Sequence, residues 1–321
     1  MTRWTASDIP PQHGRIAVIT GTGGLGFEDA LALARAGCET IIAGRNARKG
    51  SEAVEKIRLQ VPAAQVRFEL LDLADLASVA ACAERLTRQL DRLDILINNA
   101  AVMVPPDRRL TADGFELQLG TNHLGHFALT AGLLPLLRWN KAARVVSGSS
   151  VAAPRGGIDF EDLNAGKRYV PMAAYAQSKL ANLMFALELQ RRSDANGWGV
   201  VSVAAHPGIS RTDLIHNGAG PNSIPGLLRS CLPFLFQPAA RGALPTLFAA
   251  TSPQAEPGGY YGPDGLGGIR GYPTTSKIPS QALDQSVAAR LWEESKALTG
   301  VQFELDAGES TQPVRHGSHA V

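Results

Sequence analysis

Two side chains four residues apart, Tyr175 and Lys179, carry the most specific chemistry in this sequence. In a helix that spacing places them on one face, a turn apart. A phenol, with a pKa of about 10, is a weak acid at neutral pH. A neighbouring ammonium favours its anion and lowers that value. The pair is therefore competent to give a proton to a carbonyl oxygen or take one from an alcohol. The same spacing is ordinary on exposed helix faces, so the surroundings decide. Ser147-Gly148-Ser149-Ser150 closes a β-branched run, at the edge where open α/β sheets bind ligands. A serine there can bond a substrate oxygen or only satisfy loop amides. Asn98-Asn99-Ala100-Ala101 follows an earlier apolar run at the same edge. Asn122 sits inside a largely apolar helical segment, where asparagine is locally unfavourable. Both a packing and a functional reason for it are open.

A second constellation lies near the start. Thr20-Gly21-Thr22-Gly23-Gly24-Leu25-Gly26 follows the first apolar run and opens the first helical segment. Glycines there permit a tight turn and let backbone amides approach a pyrophosphate at a helix N-terminus. A plain tight turn would need the same residues, but the strand-before, helix-after context is that of a dinucleotide loop. At the end of the second strand an acidic side chain would read the ribose hydroxyls of NAD, and an arginine a 2′-phosphate. The chain has Gly44-Arg45-Asn46 there, with Arg48 and Lys49 behind and no acid. A guanidinium fork matches phosphate geometry. NADP(H) is the expected cofactor, with NAD(H) as the alternative.

The elements that must hold these groups alternate. β-Branched runs at 15–20, 40–43, 66–70, 93–97, 144–146 and 200–204 are separated by helical-period segments at 25–36, 47–59, 77–89, 114–137 and 173–192. Strands spaced by such helices imply parallel crossovers. Continuous runs such as Ile16-Ala-Val-Ile19 suit strands buried on both faces. The expected fold class is α/β, a single Rossmann-type, doubly wound parallel sheet with helices on both faces. One domain over 1–305 is expected, with an excursion at 213–251 and a flexible tail at 306–321. The excursion is apolar, with Leu227, Leu228, Leu232, Phe234, Leu235 and Phe236, and its prolines forbid one long helix. It either covers a pocket for a hydrophobic ligand or packs on the sheet or another subunit. A helix near 239–250, a strand near 260–261 and a last helix at 281–298 complete the expectation.

Composition removes other classes. The 321 residues are 45% hydrophobic and 19% charged, with a net charge of +2 and no basic run, so no nucleic-acid partner is expected. Cys38, Cys82 and Cys231 are separated and odd in number, which points to a reducing compartment without disulfides or zinc. His123 and His126 can share a helix face but lack a third ligand, so no metal is expected. The polar start lacks a secretory h-region, and no run reaches the ~20 apolar residues of a membrane span. A cytoplasmic protein is expected, with a homo-oligomer left open.

Taken together, these motifs resemble the short-chain dehydrogenase/reductase family over roughly residues 14 to 300. In family order stand the glycine loop, Asp72, Asn98-Asn99-Ala100, Asn122, Ser150, Tyr175 with Lys179, and His206-Pro207-Gly208 with Thr212. Asn122-His-Leu-Gly-His-Phe127, Tyr175-Ala-Gln-Ser-Lys-Leu-Ala-Asn182 and Arg290-Leu-Trp-Glu-Glu294 are similar to its retinol-dehydrogenase-like branch. The resemblance implies Tyr175 as general acid/base, with Lys179 lowering its pKa and holding the nicotinamide ribose. It implies Ser150, rather than Ser149, on the carbonyl, and Asn122 at a helix kink with a water leading to Lys179. Residues 21 to 26, Arg45 and Asn46 would meet phosphates and ribose, and Asp72 and Leu73 would flank the adenine. Asn98 and Ala100 would line the cofactor, and Pro207, Ile209 and Thr212 would meet the nicotinamide end. The implied substrate is a bulky apolar ketone, aldehyde or alcohol. Two departures stand out: the loop is one residue shorter than Thr-Gly-x-x-x-Gly-x-Gly, and Ala101 stands where glycine is usual. A nucleotide-sugar epimerase or dehydratase shares the Tyr/Lys pair and glycine loop, and the shortened loop alone favours a non-catalytic nucleotide-binding scaffold.

Overall fold

The structure, a computed structural model, describes residues 3–140, 142–209 and 237–303. Eight strands form one sheet in the order β3-β2-β1-β4-β5-β6-β7-β8. They are β1 (Ile16–Thr20), β2 (Glu39–Gly44), β3 (Val66–Leu70), β4 (Ile95–Asn98), β5 (Arg144–Gly148), β6 (Val201–Ala205), β7 (Tyr260–Gly265) and β8 (Arg270–Thr275). All neighbours pair in parallel except β7 and β8. The chain leaves β1 in one direction and returns to its other side at β4. That reversal opens a crevice at the carboxyl ends of both strands, the usual place for a ligand in such sheets.

The apolar runs behave as parallel strands should. Along β1, Ala17 and Ile19 enter one core layer while Val18 enters the other. On the first face lie α1 (Gly24–Arg35), α2 (Ala47–Gln60) and, later in the chain, a short helix over Leu244–Thr251. On the second lie α3 (Leu76–Gln89) and a long composite helix. The composite starts as α4 (Leu117–Leu119), widens into a π turn at Gly120–Leu124 and continues as α5 (Gly125–Arg138). A single helix from 114 is expected from the sequence. The structure starts it later, because the buried Glu116 carboxylate accepts from the amides of Gln118 and Leu119 and fixes the N-terminus there. The catalytic-motif segment forms α6 (Pro171–Asn196), 26 residues closed by Gly197 in the left-handed region.

The rest of the chain departs more from expectation. The described part of the excursion breaks into α7 (Ala239–Gly242) and α8 (Leu244–Thr251), with Pro238 and Pro245 at their starts. The six apolar residues singled out at 227–236, Thr212 and the tail at 306–321 lie outside the described residues. The strand expected at 260–261 lengthens into β7 and turns back as β8, which reads as loop in sequence. The last helix, α9 (Gln285–Thr299), begins four residues later than expected, because the Asp284 carboxylate accepts from the amides of Ser286 and Val287. Among the described residues, no helix is long and apolar enough to cross a membrane.

Helix α1 carries one feature at odds with its surroundings. Asp29 is fully buried, and neither carboxylate oxygen has a hydrogen-bond partner. Burial pushes its pKa well above the ordinary 3.8, with the nearby Glu28 adding to the effect. The folded protein therefore holds a proton there that the unfolded chain releases above about pH 4, so stability falls as pH rises past that point. Asp29→Asn is expected to raise Tm at pH 8, by about 2 °C for each kcal/mol recovered, with the gain shrinking toward pH 4. Thermal melts across that range check this, and a gain independent of pH would contradict it.

Candidate active site

The site assembles where β1, β4, β5 and β6 end. Between β1 and α1 the loop turns on Gly21, whose φ of +104° excludes ordinary side chains. A Cβ on Gly26 would stand 2.5 Å from the Gly21 carbonyl and 2.8 Å from Asn99 Nδ2, so loop and β4 can close together only over a glycine. Gly23 caps α1 without a side-chain bond, no acid lies in the first turn, and Gly23 has open space beside it. The one-residue-shorter loop thus still presents unclaimed helix N-terminal amides. Such amides suit a phosphate, and the cradle fits a dinucleotide.

Around the loop, the expected cofactor contacts divide. Thr22 leans over Gly44 at the tip of β2, and Leu25 packs against the core. Arg45 is exposed at the end of β2, and Asn46 caps α2, its Oδ1 accepting from Lys49 N at 3.0 Å. The Asp72 carboxylate accepts from the Ala74 amide at 3.0 Å and shapes the turn after β3, while Leu73 is buried against Gly125. The Asn98 side chain turns into the protein and donates to Thr130 Oγ1 at 3.0 Å, so only its backbone reaches the crevice. Ala100 stays half-buried, its amide donating to Thr20 Oγ1. After β6, Pro207 O accepts from Gln237 Nε2 at 2.7 Å, and Ile209 N donates to Ile269 O at 2.8 Å. The β7–β8 hairpin therefore braces the turn assigned to the nicotinamide end.

On the other side of the crevice the acid/base candidates converge. Tyr175, Lys179 and Ser150 are 5%, 4% and 8% exposed. The Ser150 hydroxyl lies beside the Tyr175 phenol and accepts from the Ala152 amide at 3.2 Å. The neighbouring Ser149 is committed elsewhere, donating to Lys179 O at 2.9 Å. That separates two serines that sequence alone leaves side by side. Lys179 Nζ donates to the Gly148 carbonyl at 3.1 Å and lies 5.8 Å from the Tyr175 ring centroid. Asn122 is wholly buried in the π turn. Its Oδ1 accepts from Val102 N at 2.8 Å, and its Nδ2 donates to Val102 O and to Ser178 Oγ. Ser178 Oγ donates in turn to Tyr175 O at 2.8 Å.

Electrostatics differ from the simple expectation. Burial raises the Tyr175 pKa above its ordinary 10, opposed by the nearby Ser150 hydroxyl. Burial also lowers Lys179 from 10.5 to about 8. Desolvation penalises both charged forms, so the ammonium beside Tyr175 does not bring the phenol below its usual value in this arrangement. The site holds a protonated phenol next to a readily neutralised amine. His123 and His126 do not share a ligand: His123 bonds Ser295 and His126 bonds Thr20 and Asn122. Sequence reading missed His126, Thr20 and Gln237 as bracing residues. The one available signal was a polar residue at each of these otherwise apolar positions.

A family profile described as short chain dehydrogenase matches residues 15–219. Polyprenol dehydrogenase of Mus musculus is 40% identical over 303 residues, covering 91% of this chain and 86% of that protein. Retinol dehydrogenase 13 of Mus musculus is 41% identical over 297 residues, covering 90% and 84%. The crystal structure of an uncharacterized protein from Mycobacterium paratuberculosis superposes with a TM-score of 0.78 at 41% identity, covering 95% of this chain and all of that one. A short chain dehydrogenase from Shigella flexneri 2a, solved with NADP, shares the fold at a TM-score of 0.62 and 24% identity, covering 79% and 98%.

The buried ammonium gives the site a signature in stability. Below about pH 8 Lys179 is charged in both folded and unfolded chains, and the folded state bears the full desolvation penalty. Between about 8 and 10.5 only the unfolded chain keeps the proton, so stability rises with pH. Lys179→Met is expected to melt at higher temperature than the parent below pH 8, with the advantage fading toward pH 10. Paired melts at pH 6.5 and 10 test this, and a variant less stable at both would contradict it.

Proposed function

The chain belongs to the short-chain dehydrogenase family, oxidoreductases that use NAD(P) on CH-OH and C=O groups, and from that premise we propose that it interconverts a bulky apolar carbonyl compound and its alcohol with NADP(H). The observation that carries this is the buried trio of Ser150, Tyr175 and Lys179 facing the glycine loop across one crevice. Residues 1–305 act as one domain in this proposal, in the cytoplasm.

The residues divide the work by position. The amides of Thr22, Gly23, Gly24, Leu25 and Gly26 would receive the pyrophosphate at the turn set by Gly21, whose own amide donates to Ala43 O at 2.7 Å. Arg45, with Asn46 beside it, meets the 2′-phosphate; Asp72 and Leu73 flank the adenine; the backbone of Asn98 and Ala100 lines the ribose path. Lys179, with Tyr175 beside it, would hold the nicotinamide ribose, and Pro207, Ile209 and Thr212 would meet the nicotinamide end. When bound, the nicotinamide supplies or accepts the hydride at its C4. Ser150 donates to the substrate oxygen and holds it against Tyr175. In the reducing direction the Tyr175 hydroxyl gives its proton to that oxygen. The neutral phenol that burial favours is the form this step needs. Lys179 lies close enough to favour the resulting phenolate. In the oxidising direction the phenolate takes the alcohol proton. The apolar substrate is supported by relatives named for polyprenol and retinol, both long apolar alcohols, at about 40% identity.

Tyr175→Phe is expected to fold, to retain NADPH binding through the remaining cofactor contacts, and to lose about 100-fold or more of its turnover, the usual contribution of a positioned acid or base. Turnover of a panel of apolar aldehydes, retinal included, with a parallel fluorescence titration of NADPH, tests this. A folded, NADPH-binding Tyr175→Phe with parental turnover would contradict the proton-transfer role. Arg45→Gln is expected to weaken NADPH binding about 10-fold or more, in line with loss of a charge-assisted bond, and to leave NADH binding unchanged. Equal losses for both nucleotides would overturn the phosphate assignment.

A further inference from the structure

At the switch between β1 and β4 runs a chain of buried polar groups to which neither the acid/base pair nor the cofactor contacts assign a role. Thr20 Oγ1 accepts from the backbone amides of Asn99 and Ala100, each at 2.9 Å. With both lone pairs taken, its single proton must go to another acceptor. His126 Nε2 lies 2.9 Å away, against 3.4 Å for the Ile97 carbonyl. On the far side of the ring, His126 Nδ1 is 2.9 Å from the Asn122 carbonyl, an oxygen that can only accept. The proton of the ring therefore sits on Nδ1, and Nε2 receives the Thr20 hydroxyl. A second ring proton would face an oxygen with no free lone pair, so the imidazole is neutral. Its burial, 2% exposed, agrees, and holds its pKa down to about 3.

The backbone of the same residue is strapped as well. Thr130 Oγ1 donates to His126 O at 2.7 Å and accepts from Asn98 Nδ2 at 3.0 Å. Beyond the ring the path continues through Asn122 to Val102 and Ser178, and from Ser178 to the carbonyl of Tyr175 itself. From Thr20 through His126 and Asn122 to Ser178 each bond has a stated donor and acceptor, and connected buried bonds of this kind favour one arrangement. The carbonyl that the His126 ring meets, that of Asn122, lies within the π turn at Gly120–Leu124.

We propose that His126 is a positioning residue, whose ring sets the glycine loop, through Thr20, in register with the turn that carries Asn122 and so with Tyr175 on α6. It touches neither substrate nor cofactor. The inference rests on the role proposed above for Tyr175.

Its test uses three variants of the full chain and one measurement on the unaltered protein. His126→Phe keeps a ring of similar size and removes both nitrogens. His126→Gln restores one donor and one acceptor. For His126→Phe the expected result is a loss of about tenfold or more in kcat at saturating NADPH, with weaker NADPH binding by direct titration. These are the sizes expected when buried polar partners are orphaned. His126→Gln is expected to recover most of both. A purely structural role would lower Tm in both variants and leave kcat per folded molecule unchanged, which would overturn the proposal. If His126→Phe does not fold, nitrogen NMR of the ligand-free parent decides: a proton on Nδ1 of a neutral His126 is expected, and one on Nε2 overturns the thread. Tyr175→Phe runs alongside. If it keeps parental turnover, the parent role fails, while NADPH affinity and the tautomer still report on His126. If Tyr175→Phe is inactive and a folded His126→Phe is indistinguishable from the parent in kcat and NADPH affinity, this inference alone falls.

Discussion

One backbone oxygen fixes the geometry on which the rest depends. The Gly148 carbonyl, at the last residue of β5, accepts from two side chains of α6, Lys179 at 3.1 Å and Asn182 at 3.0 Å. β5 is itself locked between β4 and β6, so these two bonds set where α6 lies along the sheet. Ser150, two residues past Gly148, then meets Tyr175, one turn before Lys179. A helix shifted by a single residue would place a different side chain against Ser150 and leave a buried ammonium without its acceptor, which is costly. Register and chemistry are in this sense the same constraint.

That constraint makes the site locally unfavourable. An amine kept from water against a neutral carbonyl, and a phenol raised above its ordinary pKa, do not stabilise a fold. Proteins keep such groups where function uses them, and tune them by burial. The surroundings hold the site through connected buried hydrogen bonds. Asn122, Ser178, Thr20, His126 and Thr130 form a connected set of donors and acceptors between the glycine loop and α6. On the opposite flank Gln237 ties the turn after β6 to β8, through Pro207 O and Gly271 N. The site is thus held from both sides by groups that need not touch a ligand.

Much of this was legible in the chain, for identifiable reasons. The parallel strands are continuous apolar runs because both faces are buried, so β1 to β6 fell within a residue or two of expectation. Tyr175 and Lys179 were visible because helical spacing is rigid. The glycine loop was visible because its backbone demands are met by few residues, as Gly21 and Gly26 show. What escaped depends on tertiary partners. β8 reads Arg-Gly-Tyr-Pro-Thr-Thr, a loop by local preference, and forms only because β7 offers a free edge. The π turn is invisible to periodicity, and so is the contact of the His126 ring with the Asn122 carbonyl inside it. Asn98 was expected to line a cofactor, yet its side chain faces Thr130, a choice that no sequence spacing encodes.

The most direct measurement follows the hydride. The protein is mixed with NADPH deuterated at C4, on either face in separate reactions, and with an apolar aldehyde such as retinal, and the alcohol is examined by mass spectrometry. The account expects deuterium from one face of the cofactor on the carbinol carbon of the product. If NADPH binds stoichiometrically and no aldehyde or ketone in a broad apolar panel acquires deuterium from either face, the chain is a nucleotide-binding scaffold and the account of its active site is wrong.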